Sequence, residues 1–147
     1  MPKKKTLTVA SKVIRHMPQF SRLATIPLEQ VASWNLDQTT VVEGTVNGVD
    51  FGRRSMKRWD DRNCWWIDLP DSLCKKAKID TGDNVELQIK LASEDLPEEL
   101  QNLLNENKSA KARWDKMTTA QRRMLREEVF AAKSSEARSR RVLKYLS

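Results

Sequence analysis

The chain has 147 residues, 39% of them hydrophobic, and its 27 Lys/Arg against 20 Asp/Glu leave a formal net charge of +7. That length holds one domain, or a small domain with an appendage, and the apolar fraction is enough for an ordinary core. No apolar run approaches the roughly 20 residues that a membrane-spanning helix needs, and two cysteines with a single histidine cannot furnish a zinc site or a disulfide framework.

The opening Met1-Pro2-Lys3-Lys4-Lys5 is followed by Thr6 to Lys12, too short and too polar for a signal-peptide core, so a cytoplasmic protein is expected. Residues 1 to 25 hold six Lys/Arg and no acid, residues 26 to 107 nine against sixteen acids, and residues 108 to 147 twelve against four. Basic ends and an acidic middle can attract one another as readily as they attract an external polyanion.

In chain order, Thr6 to Ile14 reads as a strand, Met17-Pro18-Gln19 as a turn, and Phe20 to Ile26 as a second strand. Pro27 opens a short helix, since its missing N–H costs nothing at a first helical position, and Leu28, Val31, Ala32 and Trp34 supply its apolar contacts. Val41 to Val46 is a strand ending at Asn47-Gly48, a dipeptide that tolerates the positive φ of a type I′ hairpin turn. Val49 to Trp59 then returns, Asp60 to Asn63 turns, and Cys64 to Leu69 is a further strand. Pro70 to Lys78 is a helix, and Asn84 to Leu91 alternates Val85, Leu87, Ile89 and Leu91 with polar residues, the period of a strand with one buried face.

These elements repeat. Residues 20 to 46 lie over 63 to 89 without a gap, bringing Pro27 onto Pro70, Leu36 onto Ile79, Asp37 onto Asp80 and Val42 onto Val85. The expected fold is α+β: over residues 1–93, a small pseudo-twofold β-barrel made of two strand–helix–strand repeats, closed within one chain as a monomer. Residues 94–147 are expected to form a helical appendage of three to four short helices. Pro97 with Glu98 and Glu99 starts the first, Ser109 is expected to cap the second, Thr118 with Gln121 makes a capping box for the third, and Ser134 or Ser135 starts the fourth, with Val142, Leu143 and Leu146 inward.

Two stretches resemble known families. Val42 to Phe51, with Leu69-Pro70 and Thr81 to Leu87, resembles a bacterial domain of unknown function that forms a small β-barrel, and the Leu-Pro and Gly-Asp pair also occurs in AbrB-like barrels. Asp95 to Leu100 together with Ala132 to Arg141 resembles the YdeI/OmpD-associated family, described as bacteriocin-protection proteins; the chain departs from the family by carrying Leu125 and Glu128 where aromatics are expected. The resemblance implies a barrel with a helical tail, an association with stress or antimicrobial resistance, and no established catalytic residues.

Arg53, Arg54, Lys57, Arg58 and Arg62, interleaved with Trp59, are the candidate phosphate contacts, because cations neutralise phosphates and an aromatic ring stacks on a base. The competing structural role is a solvated basic edge. Trp65 and Trp66 are adjacent in a strand, so one points inward and the other outward, where it forms either a binding surface or a patch for a tail helix to cover. Arg138, Arg140, Arg141 and Lys144 crowd the last helix as candidate partner contacts; the first expectation is that Arg138 and Arg141 pair with Glu94, Asp95, Glu98 or Glu99. No catalytic triad, Gly-rich phosphate loop, metal ligand set or cofactor motif is readable. The expected function is a non-enzymatic interaction module working through an unidentified protein partner in a stress or resistance pathway, without membrane insertion. The alternative is a nucleic-acid-binding, AbrB-like barrel.

Overall fold

A computed structural model of the chain describes residues 6–146; the basic Lys3 to Lys5 cluster lies outside the described residues. The chain divides into two compact units, Met1–Ser93 and Glu94–Ser147, each with its own apolar core.

The first unit is a closed antiparallel barrel of six strands: β1 (Leu7–Ile14), β2 (Arg22–Pro27), β3 (Thr40–Val46), β4 (Val49–Trp59), β5 (Cys64–Leu69) and β6 (Asn84–Leu91), in the order β1-β2-β5-β4-β3-β6 around the barrel. Alternation drives it. Val85, Leu87 and Ile89 of β6 are buried while Glu86, Gln88 and Lys90 are exposed, and the interior is completed by Val9, Val13, Ile26, Val46, Met56, Trp65 and Leu69. Asn47 and Gly48 both take positive φ (48° and 81°), as a tight β3–β4 turn of the I′ kind requires.

The ladders correspond at a spacing of 43 residues. Ala10 faces Glu86 as Arg53 faces Glu43, and Lys12 faces Asn84 as Ser55 faces Val41. Ala24 pairs with Ile67, and Thr45 with Gln88, each 43 positions away. The correspondence breaks at the bulge between Gly44 and Thr45. Gly44 is needed there, because a Cβ on it would lie 1.8 Å from the Gln88 carbonyl oxygen.

The two connecting helical segments differ. The helix expected after Pro27 is a 3₁₀ segment, Leu28–Trp34, whereas Asp71–Ala77 is α-helical (α1). Asp71 in the first turn and Lys75 and Lys76 in the last complement the dipole of α1, while the earlier segment has no base in its last turn and carries Val31, Ser33 and Trp34, weaker helix formers. Both end on a left-handed residue, Asn35 (φ 52°) and Lys78 (φ 57°). Arg22 fastens the second connection, its Nη2 donating to Asp71 Oδ1 and its Nη1 to Asp80 Oδ1, both at 2.9 Å.

The second unit contains α2 (Glu98–Glu106), α3 (Lys108–Lys116), α4 (Thr119–Ala131) and α5 (Ser135–Leu146). Helices of 9 to 13 residues are marginal in isolation. Leu100, Leu104, Trp114, Leu125, Val129, Val142 and Leu146 therefore bury against one another. Thr118 and Gln121 form the reciprocal capping box. The cap of α3 is not Ser109 but Asn107, whose side chain accepts the Ala110 N–H at 3.0 Å, so the helix begins two residues before Ser109 can act. Leu143 is 47% exposed rather than inward, since Val142 and Leu146 already define the buried stripe one turn apart.

Candidate functional site

The candidate site is a groove on the outer face of the barrel over β2 and β5, about 460 Å³ in volume. Its floor follows from strand alternation. Trp65, Ile67 and Leu69 point into the barrel, so Trp66 and Asp68 point out, with Thr25 and Leu23 of β2 as their cross-strand partners. On the other side, β4 sets Lys57 opposite Trp66. The β1–β2 loop closes the rim: the Phe20 N–H donates to the Met17 carbonyl at 2.9 Å, and the tightened loop brings His16 and Phe20 over the strands. The His16 ring stacks on Phe20 with centroids 6.3 Å apart and meets Trp59 edge-on at 5.4 Å.

Cations border the aromatic lining. Lys57 Nζ lies 5.0 Å from the Trp66 ring centre, and the Arg62 guanidinium carbon 4.5 Å from that of Trp59. Neither cation has a carboxylate partner among the described residues. Asp68 is the single acid lining the groove.

The basic stretch of β4 is thus divided. Lys57, Trp59, Arg62 and Trp66 come together at the groove. Trp65 is buried in the barrel, and Arg58, opposite it in the ladder, is held by Asp60 at 3.1 Å. Arg53 donates to the Ser93 carbonyl at 2.9 Å, and Arg54 lines a different hollow beside α1. In the helical unit Arg138 pairs with Glu99 at 2.8 Å and also donates to the Ala132 carbonyl, while Arg141 donates to the Glu128 carbonyl rather than to an acid. Arg140 and Lys144 are exposed, Lys144 lying 5.4 Å from the Tyr145 ring centre.

His16, Phe20, Leu23 and Asp68 were not among the candidates drawn from the sequence. A signal for two of them was present: the spacing that carries Pro27 to Pro70 also carries His16 to Trp59 and Leu23 to Trp66. His16 and Trp59, and Leu23 and Trp66, thus line one groove at a separation of 43 positions.

Burial raises the thiols of Cys64 and Cys74 above their usual range, which leaves them protonated and unreactive at neutral pH. Among the described residues no cluster of three His, Cys, Asp or Glu could hold a metal ion, and no helix is long and apolar enough to cross a membrane.

Fold and site define a β-barrel with an aromatic groove, accompanied by a helical unit. Residues 95–147 match the family described as Bacteriocin-protection, YdeI or OmpD-Associated. No curated protein and no solved structure shows a significant match to the chain.

Proposed function

We propose that the protein is a non-enzymatic, monomeric binding module of the cytoplasm, and that its barrel groove holds single-stranded nucleic acid. The observation that carries this reading is the juxtaposition of Trp59 and Trp66 with two cations, Lys57 and Arg62, that no carboxylate neutralises among the described residues. Aromatic faces stack bases of any sequence, and unpaired ammonium and guanidinium groups replace the counterions of the phosphates.

The barrel is, in this reading, two fused copies of one unit with a strand–helix–strand core, related by a pseudo-twofold axis, similar to AbrB-like barrels in which two chains each supply one strand–helix–strand unit. Support comes from ladders that correspond at a spacing of 43 and from the self-paired positions Ala24–Ile67 and Thr45–Gln88. The groove then straddles the axis, with His16 beside its equivalent Trp59.

The test is fluorescence anisotropy of a labelled single-stranded oligonucleotide across about 50 to 200 mM salt. Two phosphate contacts give a log–log slope of about −1.4, at roughly 0.7 per contact on a single strand. Absence of binding at the lowest salt overturns the reading. A second reading, a protein partner in antimicrobial resistance, is favoured by the family match of residues 95–147. A pull-down that retains the same protein at high salt after nuclease treatment would support it.

A further inference from the structure

A second hollow, about 430 Å³, lies between β4 and α1 on the barrel unit and is lined by Asp50, Phe51, Arg54, Ser72, Lys75 and Lys76, among others. We infer that it is a binding site for a compact phosphorylated small molecule, distinct from the aromatic groove and independent of the function proposed for that groove.

The charge at this hollow is in excess: three cations line it against one carboxylate among the described residues. Arg54, Lys75 and Lys76 have no ion-pair partner among the described residues, and the one acid, Asp50, already accepts the Gly52 N–H at 2.8 Å. The Arg54 Nε is buried without a hydrogen-bond acceptor. The Arg22 Nε is orphaned in the same way, so such a donor marks no ligand by itself, but at Arg54 it belongs to a guanidinium that shares a concave wall with two ammonium groups, a set that suits an anion. A phosphate monoester fits this set: its oxygens take the planar guanidinium donors, two point charges and the Ser72 hydroxyl. The volume exceeds what phosphate alone fills, and the buried Phe51 and Leu73 give an attached organic group an apolar wall.

The scaffold does not require these side chains. The positions 43 residues earlier, corresponding to Arg54, Ser72, Lys75 and Lys76, hold Ser11, Glu29, Ala32 and Ser33, which carry no positive charge. The first half builds its three strands without a basic hollow, so the strands of the barrel do not depend on these cations, although Lys75 and Lys76 also complement the dipole of α1.

The test is a two-dimensional amide NMR titration of the full chain with inorganic phosphate, with pyrophosphate and, in a third arm, with a single-stranded oligonucleotide, all at matched ionic strength. Saturable shifts at Ser72, Leu73 and Arg54, with pyrophosphate tighter than phosphate, are expected. Arg54→Gln is expected to weaken pyrophosphate binding about tenfold or more, the worth of a charge-assisted hydrogen bond. The double variant Lys75→Gln/Lys76→Gln alters only exposed side chains, so it is expected to weaken binding with no more than the small loss of melting temperature that follows from the dipole of α1. Linear shifts without saturation, or affinity unchanged in both variants, overturn the inference. So does movement of these same resonances by the oligonucleotide but not by pyrophosphate, which would make the hollow a nucleic-acid backbone contact.

Discussion

Arg138 Nε lies 2.8 Å from Glu99 Oε1, so the last helix of the chain is tied to the first helix of its own unit by a charge-assisted hydrogen bond. Arg138 also donates to the Ala132 carbonyl, the C-cap of α4, at 3.1 Å. Replacing it therefore leaves a largely buried carboxylate and a helix-end carbonyl without their partner. Arg138→Ala is expected to lower the melting temperature by several degrees, Arg138→Lys by less, and Arg141→Ala by an intermediate amount through loss of the Glu128 carbonyl contact. Thermal unfolding measures this, and an unchanged midpoint for Arg138→Ala would mean that the arginine serves something outside the chain.

The same pairing sets an acid dependence. Arg138 holds the Glu99 carboxyl below its ordinary value of 4.5, and the Thr81 N–H, followed by Arg22, holds Asp80 below 3.8. A carboxyl depressed in the folded state binds fewer protons than in the unfolded chain, so its contribution is complete above the ordinary value and disappears as pH falls through the folded one. Stability is expected to be level from neutral pH down to about the ordinary carboxylate range and to decline below it. Asp80 is mostly exposed, so Asp80→Asn removes only a small, salt-screened part of the decline. Denaturation midpoints against pH, for the wild type and Glu99→Gln, provide the check; a decline that begins near neutrality would contradict the assignment.

Gly44 and Gly52 face each other across the β3–β4 ladder and are expected to behave differently. An alanine Cβ at position 44 meets the backbone oxygen of Gln88 at 1.8 Å, and backbone cannot move aside without opening the β3–β6 ladder. Gly44→Ala is expected to cost about 3 kcal/mol or more, the upper end of overpacking. Gly52 has φ 67° and open space around it, so Gly52→Ala costs about 1–2 kcal/mol for the left-handed backbone alone. Urea unfolding separates the two, and equal losses would place the bulge contact in error.

Much of the architecture was readable because it rests on local chemistry. Asn47-Gly48 announces its turn since both residues accept positive φ, the strand β6 announces its buried face by alternation, and Thr118 and Gln121 bond only within their own helix end. The groove was harder to foresee. Lys57, Trp59, Arg62 and Trp66 stood among the candidates, but Arg54 and Arg58 alternate onto the other face of β4, and Arg53, four residues before Lys57 on the same face, bonds instead to the Ser93 carbonyl. His16 and Phe20 join the groove only because a loop between two strands folds over a third strand, a long-range result that no local pattern in residues 15 to 21 encodes. The misplaced α3 cap has a simpler cause: Asn107 and Ser109 are both good caps, and the earlier one allows a longer helix.

Trp66 is the ring most central to the proposed interface, with Lys57 beside it and the groove above it. The most direct measurement is the affinity of Trp66→Ala for a labelled single-stranded oligonucleotide, compared with wild type at one fixed salt concentration and with melting temperatures alongside. Loss of one stacking platform is expected to weaken binding roughly fivefold to hundredfold, with folding preserved because the side chain lies outside the barrel core. Equal affinity for the two proteins would contradict the assignment of the groove as the nucleic-acid site.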